Sequence, residues 1–460
     1  MSNLDEEEEV YLTSSKKRKE AKKKKKKLIK KGIRIAMLCI SCILCVLLII
    51  ITMAFLKRGR ESYRMIENSV LLISIDGFRH SYLEEYKDQL GNINEYFLKN
   101  GVRSKGMKPI YPSKTFPNHW TLVTGLYAES HGIVANHMYD PVFNTTFSLN
   151  TEESFKPRWW NGESIWETAK KKNIKSGVCF WPGSEVKGKH PDIYERFDQK
   201  MPSKTRVEKI IEYFKMSYEK RPQFLAVYFD EVDTAGHDFG PGSKEVKEAI
   251  VNVDKAIGLL MNWLKTELVD EFIDIIITSD HGMTATNDKV YYVKDYIPAA
   301  YHSRLRIENA GPLMDISLIN YSRDRAEDRT IMETIKESIE SANLEGVYIM
   351  EKYVSIPEKY HYEKNRRIAP LLLRMKLGYT MLKNRGDWVG KGNHGYDNTE
   401  EDMQAIFLAR GPSFILEGKE MKNFPNVNIY PLLAHLLKVN PAPNNGTIEV
   451  FKDILKKDSK

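Results

Sequence analysis

Two kinds of apolar run punctuate the chain. The first, Ile35 to Leu56, is 22 residues without one charge and without a polar face. As a helix it is roughly 33 Å long, enough to cross a bilayer core of about 30 Å. The second kind is short and β-branched or aromatic: Val70 to Ile75, Phe224 to Phe229, Phe272 to Thr278 and Ala405 to Ala409. Runs of that length suit strands buried on both faces, as in a parallel sheet covered by helices. Ser243 to Leu268 has the 3.6-residue periodicity of such a covering helix. From Ser69 onward the pattern therefore predicts an α/β domain.

Charge places the first run. The chain of 460 residues holds 70 Lys+Arg and 62 Asp+Glu, a formal +8. Residues 1–34 alone hold 13 bases and 6 acids, which leaves 57 bases and 56 acids for residues 35–460. The basic excess is a tail, and the remainder is neutral, which argues against nucleic-acid binding. Only Lys57, Arg58 and Arg60 follow the apolar run closely, so the positive side predicts a cytoplasmic N-terminus. A cleaved signal peptide would have a shorter apolar region, a short leader and a small-residue cleavage site, and Leu56-Lys57-Arg58 offers none. The expected layout is a basic cytoplasmic tail (1–34), a type II transmembrane signal anchor (35–56), a stalk (57–68) and an extracellular domain (69–458). The Lys22 to Lys27 run would touch anionic lipid.

Two further patterns agree with an extracellular domain. The Asn-X-Ser/Thr sequons at Asn144, Asn320 and Asn445 all follow the anchor and are expected to be glycosylated. Cys39, Cys42 and Cys45 lie within the anchor, where packing or palmitoylation explains their spacing better than a metal cluster. Cys179 is then alone in the folded part, which cannot form an internal disulfide.

The chemistry lies at the strand ends. Val70 to Ile75 runs into Asp76-Gly77. Phe224 to Phe229 is followed by Asp233 and His237, and Phe272 to Thr278 by Asp280-His281-Gly282. Ligands of α/β sheets bind beyond the carboxyl ends of the strands, so these side chains should converge. One Asp after a strand reads as a turn or helix cap. Three Asp and two His at one edge read instead as ligands for zinc-like ions.

With these residues in view the chain resembles the nucleotide pyrophosphatase/phosphodiesterase family of the alkaline phosphatase superfamily. The resemblance is carried by Leu72-Ile73-Ser74-Ile75-Asp76-Gly77-Phe78-Arg79, Lys114-Thr115-Phe116-Pro117-Asn118-His119, Asn136-His137-Met138-Tyr139-Asp140-Pro141, Trp181-Pro182-Gly183-Ser184, Ser279-Asp280-His281-Gly282-Met283 and Gly392-Asn393-His394-Gly395. It covers roughly residues 69–455. It implies an alkaline-phosphatase-like, mostly parallel central sheet with helices on both faces. The stretch from about 292 to 387 would be a cap-like insertion.

The resemblance implies two Zn2+ per catalytic domain. Asp76, Thr115, Asp280 and His281 would hold one ion, and Asp233, His237 and His394 the other. Thr115 would be the nucleophile, activated by zinc at a helix N-terminus, and Asn136 would bind a phosphate oxygen with the backbone amide at the nucleophile. Phe116 and Tyr194 would sandwich a base, with Leu149, Trp181 and Pro182 as further walls. Ser154 and Glu185 depart from the family's mineralisation-type members, which carry Lys and Asp there. The implied reaction converts extracellular nucleotides and diesters to nucleoside 5′-monophosphates, ATP giving AMP and pyrophosphate. Gly390-Lys391-Gly392-Asn393-His394-Gly395 also fits a dinucleotide fingerprint, but no strand precedes it and no helix follows.

Alternatives within the same reading are a choline-lysophospholipid phosphodiesterase and a catalytically silent surface receptor. The intact Trp-Pro-Gly-Ser segment argues against the first, and the complete ligand set against the second. The family's Cys-rich and nuclease-like modules are not recognisable, so the expectation is a catalytic-domain-only member.

Overall fold

The computed structural model describes residues 4–66, 69–149, 151–415 and 418–456. It comprises two units, Met1–Arg64 and Met65–Lys460. The first is part of one helix, α1 (Leu4–Ile66). Its stretch Lys16–Lys57 includes the apolar run and is long and apolar enough to cross a membrane. Leu38 and Leu48 are about two-thirds exposed there. The helix is continuous through the Lys run and on to Ile66, because Lys and Glu are good helix formers. The ends of the apolar run are thus marked by charge and not by a break in the helix.

The principal elements of the second unit follow in chain order. They begin with β1 (Ser69–Ile75), β2 (Val102–Ser104), α2 (Thr115–Thr124), β3 (His137–Asp140), β4 (Thr145–Ser148), β5 (Ser176–Cys179), β6 (Ile193–Glu195) and α3 (Ser203–Phe214). Next come β7 (Phe224–Phe229), α4 (Glu231–Phe239), α5 (Lys244–Thr266), β8 (Ile273–Thr278), β9 (Leu305–Arg306), β10 (Leu313–Leu318) and α6 (Ala326–Ser341). The last are β11 (Val347–Glu351), β12 (Leu371–Met375), β13 (Phe407–Arg410), β14 (Lys419–Met421) and α7 (Ile429–Leu436). The central sheet has eight strands in the order β14-β2-β13-β8-β1-β7-β5-β6.

The three strands read from the sequence lie side by side and parallel, with β1 in the middle. Ile75 pairs with Phe229, and Ser74 with Thr278. This register ends all three strands at one edge. The fourth run, Ala405 to Ala409, becomes β13 and is antiparallel to β8. A run buried on both faces has the same apolar pattern in either direction.

Alternate residues of the central strands enter two cores. Val70, Leu72, Phe224 and Ala226 face one layer with α2 and α7. Leu71, Ile73, Leu225 and Val227 face the other, which α5 covers with Val246, Ile250, Val253, Ile257, Leu260 and Leu264. The Ser243 hydroxyl caps α5 by accepting from the Val246 amide at 3.2 Å. Each β1 side chain is almost completely buried, the burial that its unbroken apolar pattern predicted.

The segment between the Asp280-His281 pair and His394 builds its own small antiparallel sheet, β9-β10-β12-β11. Ile316, Leu373, Ile335 and Ile339 of this sheet and α6 form a third core.

Candidate active site

Asp76, Asp233 and Asp280 lie at the shared strand edge, together with His237 and His281; α2 and the Gly392 loop bring Thr115 and His394 to the same place. Gly77, at φ +62, makes the approach possible: a Cβ there would lie 2.8 Å from Asp233 Oδ1. Its amide donates to Asp280 Oδ1 at 3.2 Å.

Asp233, His237 and His394 offer ligand atoms within 4.8 Å of one another, and so do Asp76, Asp233 and His281. Asp233 thus stands in both groups, whereas the sequence assigned it to one. Asp280 lies alongside, its Oδ2 3.0 Å from His281 Nε2 and 3.3 Å from His119 Nδ1. Thr115 Oγ1 is 3.3 Å from His281 Nε2.

All three histidines are held in the same way. Nδ1 of His237 lies 3.0 Å from the Gly392 carbonyl, that of His394 2.8 Å from Ser113, and that of His281 2.9 Å from Gly282. Donation from Nδ1 leaves the Nε2 lone pair for the site, as in most histidine metal ligands. The His281 and His394 rings stack at 3.6 Å.

The electrostatics fit a cation. Burial, then repulsion from Asp280 and Asp233, pushes the Asp76 carboxyl well above its usual range. Burial also raises Asp233, against the pull of His237 and His281. For Asp280 burial acts upward too, but His281 and His119 overcome it and the group ends well below its usual value. Burial holds His394 far below its usual value, and His281 and His237 add to the effect. Oδ1 of Asp76 and Oδ1 of Asp233 are buried without a hydrogen-bond partner. Clustered carboxylates with orphan oxygens, facing histidine Nε2 atoms, make a donor set suited to zinc.

A cavity of about 350 Å3 opens from this cluster. Thr115, Asp233, His237 and His394 line it, together with Phe116, Leu149, Trp181 and Pro182. Asn136 also lines it, and its Oδ1 accepts from the Phe116 amide at 3.0 Å. Ser154 is buried with its hydroxyl donating to Thr151 O at 2.6 Å. Glu185 accepts from the Phe197 amide at 3.2 Å, and burial raises its carboxyl pKa.

Tyr194 is the correction. It lies in β6, the edge strand, packs against the core and tilts toward His190 at 5.3 Å. It does not line the cavity, whose aromatic walls are instead Phe116, Phe155, Trp160, Phe180, Trp181, Phe197 and Tyr228. Tyr228 also went unread: its hydroxyl donates to Asp76 Oδ2 from within an apolar strand. The one polar tip in Phe224 to Phe229 was the available signal. Lys114, buried beside Thr115 and packed over Gly395, was likewise missed. Asn144, Asn320 and Asn445 are all exposed.

The fold and this edge define an alkaline-phosphatase-like α/β protein with a metal-ligand cluster beyond its parallel strands. The profile described as Type I phosphodiesterase / nucleotide pyrophosphatase matches residues 70–397, and the chain belongs to that family. It is 39% identical over 392 residues to ectonucleotide pyrophosphatase/phosphodiesterase family member 3 of Mus musculus, covering 84% of this chain and 44% of the relative. It is 37% identical over 405 residues to family member 1 of Homo sapiens, covering 84% and 42%. The chain thus spans less than half the length of these curated relatives. Among solved structures, human ectonucleotide pyrophosphatase/phosphodiesterase 5 superposes with a TM-score of 0.77 at 33% identity, covering 85% of this chain and 100% of that one. A murine form of the latter, a threonine-to-alanine variant described as inactive and in complex with AMP, superposes with a TM-score of 0.76 at 32% identity, covering 84% and 100%.

Proposed function

We propose that the chain is a two-zinc ectoenzyme that hydrolyses nucleotide pyrophosphate and phosphodiester bonds and releases nucleoside 5′-monophosphates. The observation that carries this reading is Thr115 Oγ1, 3.3 Å from His281 Nε2, in the cavity that Asp233, His237 and His394 also line. Asp76, Thr115, Asp280 and His281 would hold one ion, and Asp233, His237 and His394 the other. Bound zinc would supply Lewis acidity, lowering the pKa of a coordinated hydroxyl and offsetting charge on phosphoryl oxygens.

The chain's own residues do the rest. Thr115 gives up its proton to solvent and forms a bond to phosphorus while the bond to the leaving oxygen breaks. The nucleotide remains on Thr115 as a phosphothreonine diester. Water then attacks phosphorus, and Thr115 departs and recovers a proton. The Phe116 amide holds Asn136 Oδ1, which leaves the Asn136 Nδ2 group as the donor that would take a phosphoryl oxygen. Phe116, Leu149, Trp181 and Pro182 take the base, so the phosphate nearest the nucleoside reaches Thr115. The murine relative is described in complex with AMP, the monophosphate that this register would release. The apolar part of α1 would be a type II anchor, with its basic tail against anionic lipid and the catalytic domain outside.

Product analysis of ATP after limited turnover tests the reading. AMP and pyrophosphate are expected. ADP and phosphate as main products would put the nucleotide in another register and overturn the pocket assignment. Thr115→Ala should lose about a thousandfold or more in turnover and retain zinc, whereas Thr115→Ser should keep part of it.

A further inference from the structure

A second cavity, of about 610 Å3, shares no lining residue with the first and has a different chemistry. Its size is that of a small-molecule site, about 300–1,000 Å3. The β3–β4 hairpin, the β9–β10 region and the stretch from β11 to β12 build it, and Tyr139, Tyr321 and Tyr353 give it aromatic walls.

Most of its charges are matched. Arg306 pairs with Glu308 at 3.2 Å, and Glu351 with Lys336 at 3.2 Å. Arg366 and Arg367 both pair with Asp140. Arg323 and Lys352 are different: among the described residues neither has a carboxylate within salt-bridge distance. Both flank one ring, with Arg323 Cζ 5.3 Å and Lys352 Nζ 5.0 Å from the Tyr353 centroid. Lys352 Nζ is held there by the carbonyls of Asn365 and Ile368, at 2.6 and 3.1 Å. Burial first, and then the charge of Arg323, pulls its pKa down to about 8.

Tyr353 adds a backbone argument. It has φ +65, a conformation bulky side chains rarely hold, and yet the residue is 51% exposed. Strain of this kind persists where the surroundings fix it, and it gathers at ligand sites. Two buried polar atoms of the walls, Arg306 Nε and Asp315 Oδ1, also lack a hydrogen-bond partner.

We propose that this cavity is a second, non-catalytic site for a small phosphomonoester, with Arg323, Lys352 and the Tyr353 hydroxyl on the phosphate. A guanidinium and an ammonium without their own anion supply the charge-assisted donors a phosphate dianion accepts. The tyrosine walls, with Ala369 and Pro370, take the organic part. The choice of a nucleoside monophosphate rests on the proposed reaction, which releases one. Tyr139 and Pro141 line this cavity, and Asn136, just before the same strand, lines the other.

Equilibrium dialysis with labelled AMP on the zinc-loaded full chain tests it. Two AMP per chain are expected, one lost in Phe116→Ala and the other in Arg323→Ala/Lys352→Ala. The single variant Lys352→Gln should bind the second AMP about tenfold more weakly, the scale of one charge-assisted contact. Turnover of a chromogenic nucleotide ester should be unchanged in the double variant, which also reports its fold. Inorganic phosphate should displace the AMP that survives Phe116→Ala. Binding insensitive to the Arg323/Lys352 substitutions, or no competition by phosphate, would overturn the proposal. So would a second AMP site that opens only when sugar is removed from Asn144 and Asn320, since both rim the cavity and carbohydrate would then be its occupant. An unaltered Phe116→Ala variant would instead count against the base pocket and leave this site standing.

Discussion

The two cavities differ in how the chain builds them. The one at the metal edge takes its acids and histidines from beyond the ends of three adjacent parallel strands and from the Gly392 loop, with Thr115 added by α2. In the other, residues 139–144, 306–323 and 351–370 meet only through loops and the small sheet. The first is acidic with an apolar wall; the second is basic with tyrosine walls. A sheet edge aligns functional groups as soon as the strands register. A cavity between loops needs every contact that fixes those loops, so the two should fail under different substitutions.

Ligand removal should have the largest effect and touch one cavity alone. Chelation should abolish turnover, and zinc should restore it. His394→Ala should weaken the ion shared with Asp233 and His237 more than its neighbour, read as the loss of one zinc equivalent by metal analysis. AMP binding in the Arg323–Lys352 cavity should persist in the chelated protein. Full turnover without metal would end the two-zinc reading.

Next comes the joint that holds the second cavity together. Asp140 is completely buried and accepts from Arg366 Nε, Arg367 Nε and the Val142 amide, at 2.9, 2.8 and 2.9 Å. Asp140→Asn leaves two guanidiniums sharing a neutral partner, and should cost about 3 kcal/mol of unfolding free energy. The second AMP site should weaken with it, while the zinc content stays at its wild-type value. Equal damage to both cavities, read by dialysis and metal analysis on one sample, would dissolve the contrast between them.

The same contrast explains what the sequence made legible. Asp76, Asp233 and Asp280 could be read because each follows an apolar run whose length and composition already imply a buried strand. The sharing of Asp233 between two ligand groups could not, because it depends on how closely α4 approaches Gly77. Tyr194 was placed by resemblance, but the edge strand turns its ring toward His190. For the second cavity no pattern existed. Arg323, Lys352 and Tyr353 look like ordinary surface residues until the backbone turns at φ +65, and sequence periodicity carries no trace of that turn.

The smallest expected effect concerns the floor of the second cavity. Asp315 is buried, and its Oδ2 lies close to Asn309 Nδ2, which also donates to the His137 carbonyl at 2.8 Å. Burial raises its carboxyl pKa to about 6, against the hydrogen bond from Asn309 and the charge of Lys114. The folded value lies above the unfolded value of 3.8, so between about pH 4 and 6 the folded chain binds more protons than the unfolded one. This group's contribution therefore favours the fold at low pH, declines as pH rises through that window, and is a constant penalty above it. Asp315→Asn removes the titration and keeps an acceptor for Asn309. Relative to wild type, the variant should gain about 2–3 kcal/mol of stability between pH 4 and 7. The measurement is the difference in denaturation midpoint between the two proteins across that range. A difference independent of pH would mean that water entering the cavity already solvates this carboxylate, and the second cavity would then be wetter than its buried orphan atoms imply.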